Sequence, residues 1–272
     1  MDDAQLSETI IEVPEIVAKA NPSGGGDPHF STWGGDKFSY HGACDMVLMS
    51  SEEFAEGLGL DVHIRTKHRT WYSFITNAAV RIGDEVLEVT DDPENPVYLN
   101  GQQDVSFPAY LSGFKVTSKR DNDKQVTYHI ELGHGHENLV IRVLKDFVTV
   151  TIKRGTSTDF NGARGLMGSF PMGEKVGRDG HTVIDDADAF GQEWQVLRGE
   201  HHLFQNIVTP QHPQRCTPPP KRSTHHRRLG EQVVDREAAE KACEGVSEED
   251  LEFCIFDVMA TSDTDMAQAY VF

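Results

Sequence analysis

Between Phe38 and Ile152 apolar and polar residues alternate in short runs, and the runs are separated by polar turns. Successive side chains of a β-strand point to opposite faces, so this alternation marks strands with one buried face. Phe38, Tyr40, Cys44, Met46 and Leu48 fall on even positions. So do Leu58, Leu60, Val62 and Ile64, with Gly59, Asp61, His63 and Arg65 between them. Ala78, Val80 and Ile82 run into Gly83-Asp84-Glu85, a hairpin turn from which Val86 and Leu87 begin the return. Phe114 and Val116 precede the turn Arg120-Asp121-Asn122-Asp123, and Val126, Tyr128, Ile130 and Leu132 follow it. Leu139, Ile141 and Val143 pair naturally with Val148, Val150 and Ile152 across Lys145-Asp146. Many short strands joined by polar turns predict a mainly β protein built as an antiparallel β-sandwich.

The flanking regions differ. Residues 1–25 have no sustained periodicity and run into Pro22-Ser23-Gly24-Gly25-Gly26, so they read as a flexible lead. The sandwich and its closing segment are assigned to residues 26–216. Residues 217–233 form a linker, continuing a stretch broken by Pro210, Pro213 and Pro218-Pro219-Pro220 and holding the basic island Lys221–Arg228. Three readings of that island stand side by side: a solvated linker, an exposed dibasic processing site at Arg227-Arg228, and a patch for an acidic partner. From residue 234 the spacing becomes helical. Val234, Ala238, Ala239, Ala242, Cys243 and Val246 form one stripe, and Leu251, Cys254, Ile255, Val258 and Met259 form another. Ser247-Glu248-Glu249-Asp250 has the composition of a capped helix start, and Thr261-Ser262-Asp263 offers a second one. This α-helical module, residues 234–272, ends abruptly and is expected to be truncated from a longer polypeptide.

Composition excludes several classes. A 272-residue chain that is 38% hydrophobic can bury a sizeable core. It has no run of about 18 apolar residues that would span a membrane. The acidic N-terminus lacks the basic start and apolar centre of a signal peptide. A net charge of −19 repels a phosphate backbone and argues against nucleic-acid partners, while cations, basic partners and cationic surfaces suit it better. Simple solubility explains the charge as well. Among the four cysteines, at 44, 216, 243 and 254, no Cys-x-x-Cys suggests zinc or thiol redox chemistry. Cys243 and Cys254 bracket a short acidic link between helical stripes, a distance that suits a clip, which leaves Cys44 to Cys216. Four buried free thiols are the alternative.

Three ordered segments resemble the von Willebrand factor type D domain family. They are Gly26-Asp27-Pro28-His29-Phe30 with its continuation to Gly42-Ala43-Cys44, then Gly165-Leu166-Met167-Gly168, then Phe190-Gly191-Gln192-Glu193-Trp194-Gln195-Val196. The similarity covers about residues 26–197. It implies a secreted or cell-surface β-sandwich used for adhesion and assembly, with the cysteine of Gly-x-Cys bonded to one beyond the Gly-x-x-Trp close. That is the Cys44–Cys216 pairing which the layout also favours. Met167 stands where the family usually has a cysteine, and the partner of that cysteine, upstream of Gly26, is missing too. The family's calcium-loop asparagine and aspartate are replaced by Ser169 and Phe170. If calcium is bound, Asp146, Glu174, Asp179 and the Asp185, Asp186, Asp188 group are the candidate substitutes. Some family members cut the Asp-Pro bond of this motif without a protease. That would cast Asp27 as internal nucleophile and His29 as proton carrier, against the simpler reading that the motif sets the first strand.

Other enzyme signatures are absent: no Gly-x-Ser-x-Gly elbow, no His-Glu-x-x-His, no phosphate-binding or dinucleotide glycine loop. His134, His136 and Glu137 have metal-ligand types in what also reads as a polar hairpin loop, and His201-His202 and His225-His226 fall near linkers. The expected function is therefore a non-catalytic extracellular module for structure or adhesion, with a protein, a polysaccharide or a cationic surface as partner. A secreted luciferase-like oxidative enzyme and a calcium-binding assembly domain are the alternatives. A cavity inside the sandwich would favour the enzyme, and a filled core the module.

Overall fold

In the computed structural model the described residues are 15–69, 71–94, 96–133, 138–205, 214–220, 234–248 and 250–270. The alternation folds as expected into antiparallel strands. The first three are β1 (Ser23–Gly25), β2 (His29–Ser31) and β3 (Lys37–Ser39). Then come β4 (Asp45–Ser51), β5 (Leu60–His68), β6 (Ser73–Ile82), β7 (Glu85–Thr90) and β8 (Val97–Leu99). The last five are β9 (Ala109–Leu111), β10 (Phe114–Asn122), β11 (Gln125–Glu131), β12 (Asn138–Leu144) and β13 (Phe147–Lys153). One sheet has eight strands in the order β3-β2-β1-β13-β12-β11-β10-β9, and the other five in the order β4-β5-β6-β7-β8. The hairpin read across Lys145-Asp146 forms in register, with Leu139 opposite Ile152, Ile141 opposite Val150 and Val143 opposite Val148.

Two positions depart from expectation for identifiable reasons. Ser23–Gly25, placed in the lead, is a strand in the middle of the large sheet, hydrogen-bonded to β13 on one side and β2 on the other. A run of small residues carries no hydrophobic alternation, yet smallness is what the site needs. A Cβ on Gly24 would lie 3.0 Å from Leu48 and Phe30, and one on Gly25 would lie 2.6 Å from the Thr149 hydroxyl. Leu58 does not join the inward face of β5. It follows the helical turn α1 (Phe54–Gly57) and is 41% exposed, whereas Leu60, Val62 and Ile64 are fully buried.

The inner faces meet in a core that includes Phe30, Trp33, Leu48, Phe54 and Ile64. The two later sequence anchors seal it. Leu166 and Met167 donate backbone hydrogen bonds to Val47 and Leu48 of β4, and Met167 accepts one from Trp33. Met167 is itself fully buried, so where the resemblance implies a disulfide sulfur an apolar side chain fills the space. Gly165 has no alternative, because a Cβ there would sit 2.5 Å from the Leu48 carbonyl oxygen. The short helices α2 (Ser157–Phe160) and α3 (Ala187–Glu193) flank this segment in the chain. Phe190, Trp194 and Val196 insert into the core, the Trp194 indole donates to the Val176 carbonyl, and Val196 donates to Asp45.

The C-terminal region is helical, as its spacing predicts: α4 (Arg236–Ala242), α5 (Leu251–Thr261) and a 3-10 turn over Thr264–Tyr270. Asp235 caps α4 through Ala238, and the Ser247 hydroxyl accepts from the Asp250 amide ahead of α5. These helices cover the outer face of the large sheet. There Ala239, Ile255, Val258 and Met266 form a second core with Leu144 and Phe147, joined by Tyr72 and Phe74 at the start of β6 in the small sheet. Met259, read as part of the apolar stripe, points away and is 39% exposed. Disulfides join Cys44 to Cys216 and Cys243 to Cys254. The first is anchored by reciprocal backbone hydrogen bonds between Ala43 and Thr217.

With a sequence separation of 172 residues, removing the Cys44–Cys216 bond by double Cys→Ala substitution is expected to lower stability by about 3–5 kcal/mol in denaturant unfolding. Removing the Cys243–Cys254 bond is expected to cost about 2–3 kcal/mol.

Candidate functional site

Gly26 follows β1 at a φ of +63° and turns the chain toward β2. Its carbonyl accepts from the Ile75 amide of β6, and the Pro28 carbonyl accepts from Tyr40, so the turn is held on both sides. This conformation drives the Asp27 side chain inward, where it is fully buried. His41 approaches from the segment after β3, with Nδ1 2.8 Å from Asp27 Oδ1, a contact of charge-pair distance whose angle falls short of an aligned hydrogen bond. Asp27 Oδ2 has no hydrogen-bond partner among the described residues.

A second buried carboxylate faces the first from the helical module. Asp257 of α5 is fully buried, accepts a 2.6 Å hydrogen bond from the Tyr270 hydroxyl and places Oδ1 3.3 Å from His29 Nε2. His29 is fixed on its other side by a 2.7 Å contact from Nδ1 to the Ser39 hydroxyl and is stacked on Phe253 at 4.0 Å. His29 therefore spans the sheet and the helices, while His41 is the imidazole in contact with Asp27. Gly26 is required here for a second reason, since a Cβ would lie 2.3 Å from Asp257 Oδ2.

Burial raises the Asp27 carboxyl above the ordinary carboxylate range, partly offset by His41 and reinforced by Asp257. Burial works against the charged form of His41, but contact with Asp27 and the nearby carboxylates Asp188 and Asp257 outweigh it, so His41 is raised. The Tyr270 hydroxyl is pushed well above its usual range by burial and by Asp257. Sequence reading missed Asp257, Tyr270 and His41. One signal was available for Asp257: it lies three residues after Cys254, on the apolar stripe of α5, where a charged residue is out of place.

The other candidates have separate surroundings. Asp146 pairs with Arg69 at 2.5 Å. Asp179 accepts from the amides of His181 and Thr182 and from the Thr182 hydroxyl. Glu174 sits in the loop after Met167, where its carbonyl accepts from Ser169. Of the aspartate group, Asp186 caps α3 through the Ala189 amide. Among the described residues no three His, Cys, Asp or Glu side chains form a group that could hold a metal ion. His134, His136 and Glu137, the pair His225-His226 and the dibasic Arg227-Arg228 lie outside the described residues. His201 and His202 are exposed.

A two-sheet β-sandwich with a glycine-aspartate-proline-histidine entry, a Gly-Leu-Met-Gly seal and a tryptophan close defines a disulfide-framed β-module. A family model of the von Willebrand factor type D domain matches residues 23–174, more than half of the chain, and the chain belongs to that family. Domains of this family are typically extracellular and in general non-catalytic. No helix among the described residues is long and apolar enough to cross a membrane.

Gly26→Ala is expected to cost about 2–4 kcal/mol in chemical unfolding, because it combines a left-handed backbone with a clash against Asp257. The pH dependence below the tyrosine range follows from the raised Asp27 and His41. Both hold their protons more tightly in the folded state, so each contributes stability that is complete below its ordinary value and lost as pH rises through its folded one. For His41 the loss begins above about pH 6.5. Unfolding free energy measured by urea titration is expected to fall from pH 6.5 upward, and His41→Asn is expected to flatten that slope.

Proposed function

We propose that this chain is a non-catalytic interaction module of a secreted or cell-surface protein. Its membership of a family of generally extracellular, non-catalytic domains carries the reading. A filled core supports it. The core is packed with large side chains, Trp33, Phe30, Phe54, Phe160 and Phe190 all being at most 1% exposed, whereas a luciferase-like enzyme would need a substrate cavity. The surface is strongly acidic, which suits a basic protein partner or cationic surface. The closing segment is tied to the sandwich through Cys44–Cys216, and the helical module, clipped internally by Cys243–Cys254, packs on the sandwich through a second apolar core. Native protein immobilised on beads is expected to retain a component of extracellular fluid, with retention falling as salt is raised from 50 to about 300 mM. Retention unchanged after reduction of both disulfides would contradict a disulfide-framed binding surface.

One observation favours a second activity. The Asp27 carboxyl is buried, raised by that burial and lacks a partner for Oδ2. As nucleophile, Oδ2 would attack the carbonyl carbon of Asp27 itself. The C–N bond to Pro28 would break, the proline nitrogen would take up a proton, and a cyclic anhydride would remain on Asp27. His41 is the imidazole next to the carboxyl, with His29 turned toward Asp257. Mass spectrometry after incubation near pH 5 is expected to show two fragments divided between Asp27 and Pro28, and none for Asp27→Asn. An intact wild-type chain would end this second reading and leave the first untouched.

A further inference from the structure

A half-enclosed cleft of about 380 Å³ opens between the outer face of the large sheet and the helical module. Its size lies within the range of about 300–1,000 Å³ common to small-ligand sites. Sheet register builds its floor. Ser23 is paired with Thr151 of β13 on one side and with Ser31 of β2 on the other, and Ser31 is paired with Lys37 of β3. Because side chains alternate across a strand, these four project from the same face, and three hydroxyls run in a row toward an ammonium group. The wall opposite is aromatic and comes from the helices, with Phe253 of α5 and Tyr270 lining the cleft.

The two ends differ in charge. At one end Lys37 is ion-paired with Asp250, and its Nζ lies 5.8 Å from the centre of the Phe253 ring. That end offers carboxylate oxygens and aromatic surface. At the other end Lys153, two residues beyond Thr151 on the same face, lines the cleft beside Asn21. Lys153 makes no hydrogen bond or ion pair with the described residues, and neither Thr151 nor Ser31 has a side-chain hydrogen bond among them. In a chain of net charge −19, a half-buried lysine with no carboxylate of the described residues paired to it is a place where a ligand's negative charge can be met.

A flat row of hydroxyls, an aromatic wall, an acceptor at one end and a cation at the other are matched by a ring that carries several hydroxyls and one acid. We propose that this cleft binds a saccharide unit bearing a carboxylate or sulfate, with the acid at Lys153 and ring hydroxyls toward Thr151, Ser31 and Asp250. The assignment rests on the reading of the chain as an extracellular interaction module and names one ligand class for it. The cleft exists only while the helical module is docked, so the ligand and the docking stabilise one another.

The test is isothermal titration of the full chain with three probes: a tetrasaccharide of alternating glucuronate and N-acetylglucosamine, the same molecule with each carboxylate reduced to hydroxymethyl, and a sulfated form of that neutral molecule. Saturable binding of the carboxylated or the sulfated probe is expected, with the neutral probe weaker on the order of tenfold. Which acid binds more tightly identifies the natural group. Lys153→Gln is expected to weaken the acidic probe by a similar factor, while Lys115→Gln, at an exposed ion pair with Glu131, leaves it unchanged. Equal binding of the neutral probe, indifference to Lys153→Gln, or no saturable binding of any probe would overturn the site. Retention of a protein partner by a chain that binds no saccharide would remove this assignment and leave the module reading in place.

Discussion

Two carboxylates, Asp27 and Asp257, lie entirely out of water at the contact between the sandwich and its helices. An unpaired carboxylate in such a place is strongly disfavoured, so each must be surrounded by groups that answer its charge or share its proton. That requirement fixes much else. It brings His41 to Asp27, and His29 and Tyr270 to Asp257. It also excludes any side chain at residue 26, because the space a Cβ would need is taken by Asp257. The turn that begins the domain is thus shaped by a residue of α5, 231 positions beyond Gly26 in the chain.

Packing follows from the same arrangement. With the first turn held against β6, β1 is placed between β2 and β13, and the large sheet is continuous across strands from both ends of the sandwich. Its inner face closes on the small sheet, and its outer face is divided. Near Phe147 and Leu144 it is apolar and covered by the helices. Further along β13, toward Thr151 and Lys153, it turns polar and forms the floor of the cleft. One strand, alternating aromatic, threonine, threonine and lysine outward, takes part in both environments.

Much of this was legible in the residues. Alternation from Phe38 to Ile152 specifies strands and their inward faces because burial on one side of a sheet leaves a period of two. Helical stripes after residue 234 identify α4 and α5 by the same logic. What the sequence hid was the role of smallness and the long-range pairing of charge. Ser23-Gly24-Gly25 looks like a linker, yet it is a central strand that works because nothing projects from it. His29 stands out in the sequence only through the motif that carries it, whereas its contact Asp257 and the imidazole beside Asp27, His41, depend on tertiary contacts that no local pattern records. Leu58 belonged to the alternation by spacing but falls in the turn before β5 begins.

The helical module is held on the sandwich by the shared apolar core and locked through His29 and Asp257. A double-mutant cycle tests this directly, measuring unfolding free energies at pH 6.5 for the wild type, His29→Ala, Asp257→Ala and the double variant. Contacting buried partners should couple by about 1–3 kcal/mol, with sandwich and helices unfolding in a single transition. Additive effects, or a helical module that unfolds separately while the sandwich keeps its full stability, would contradict it.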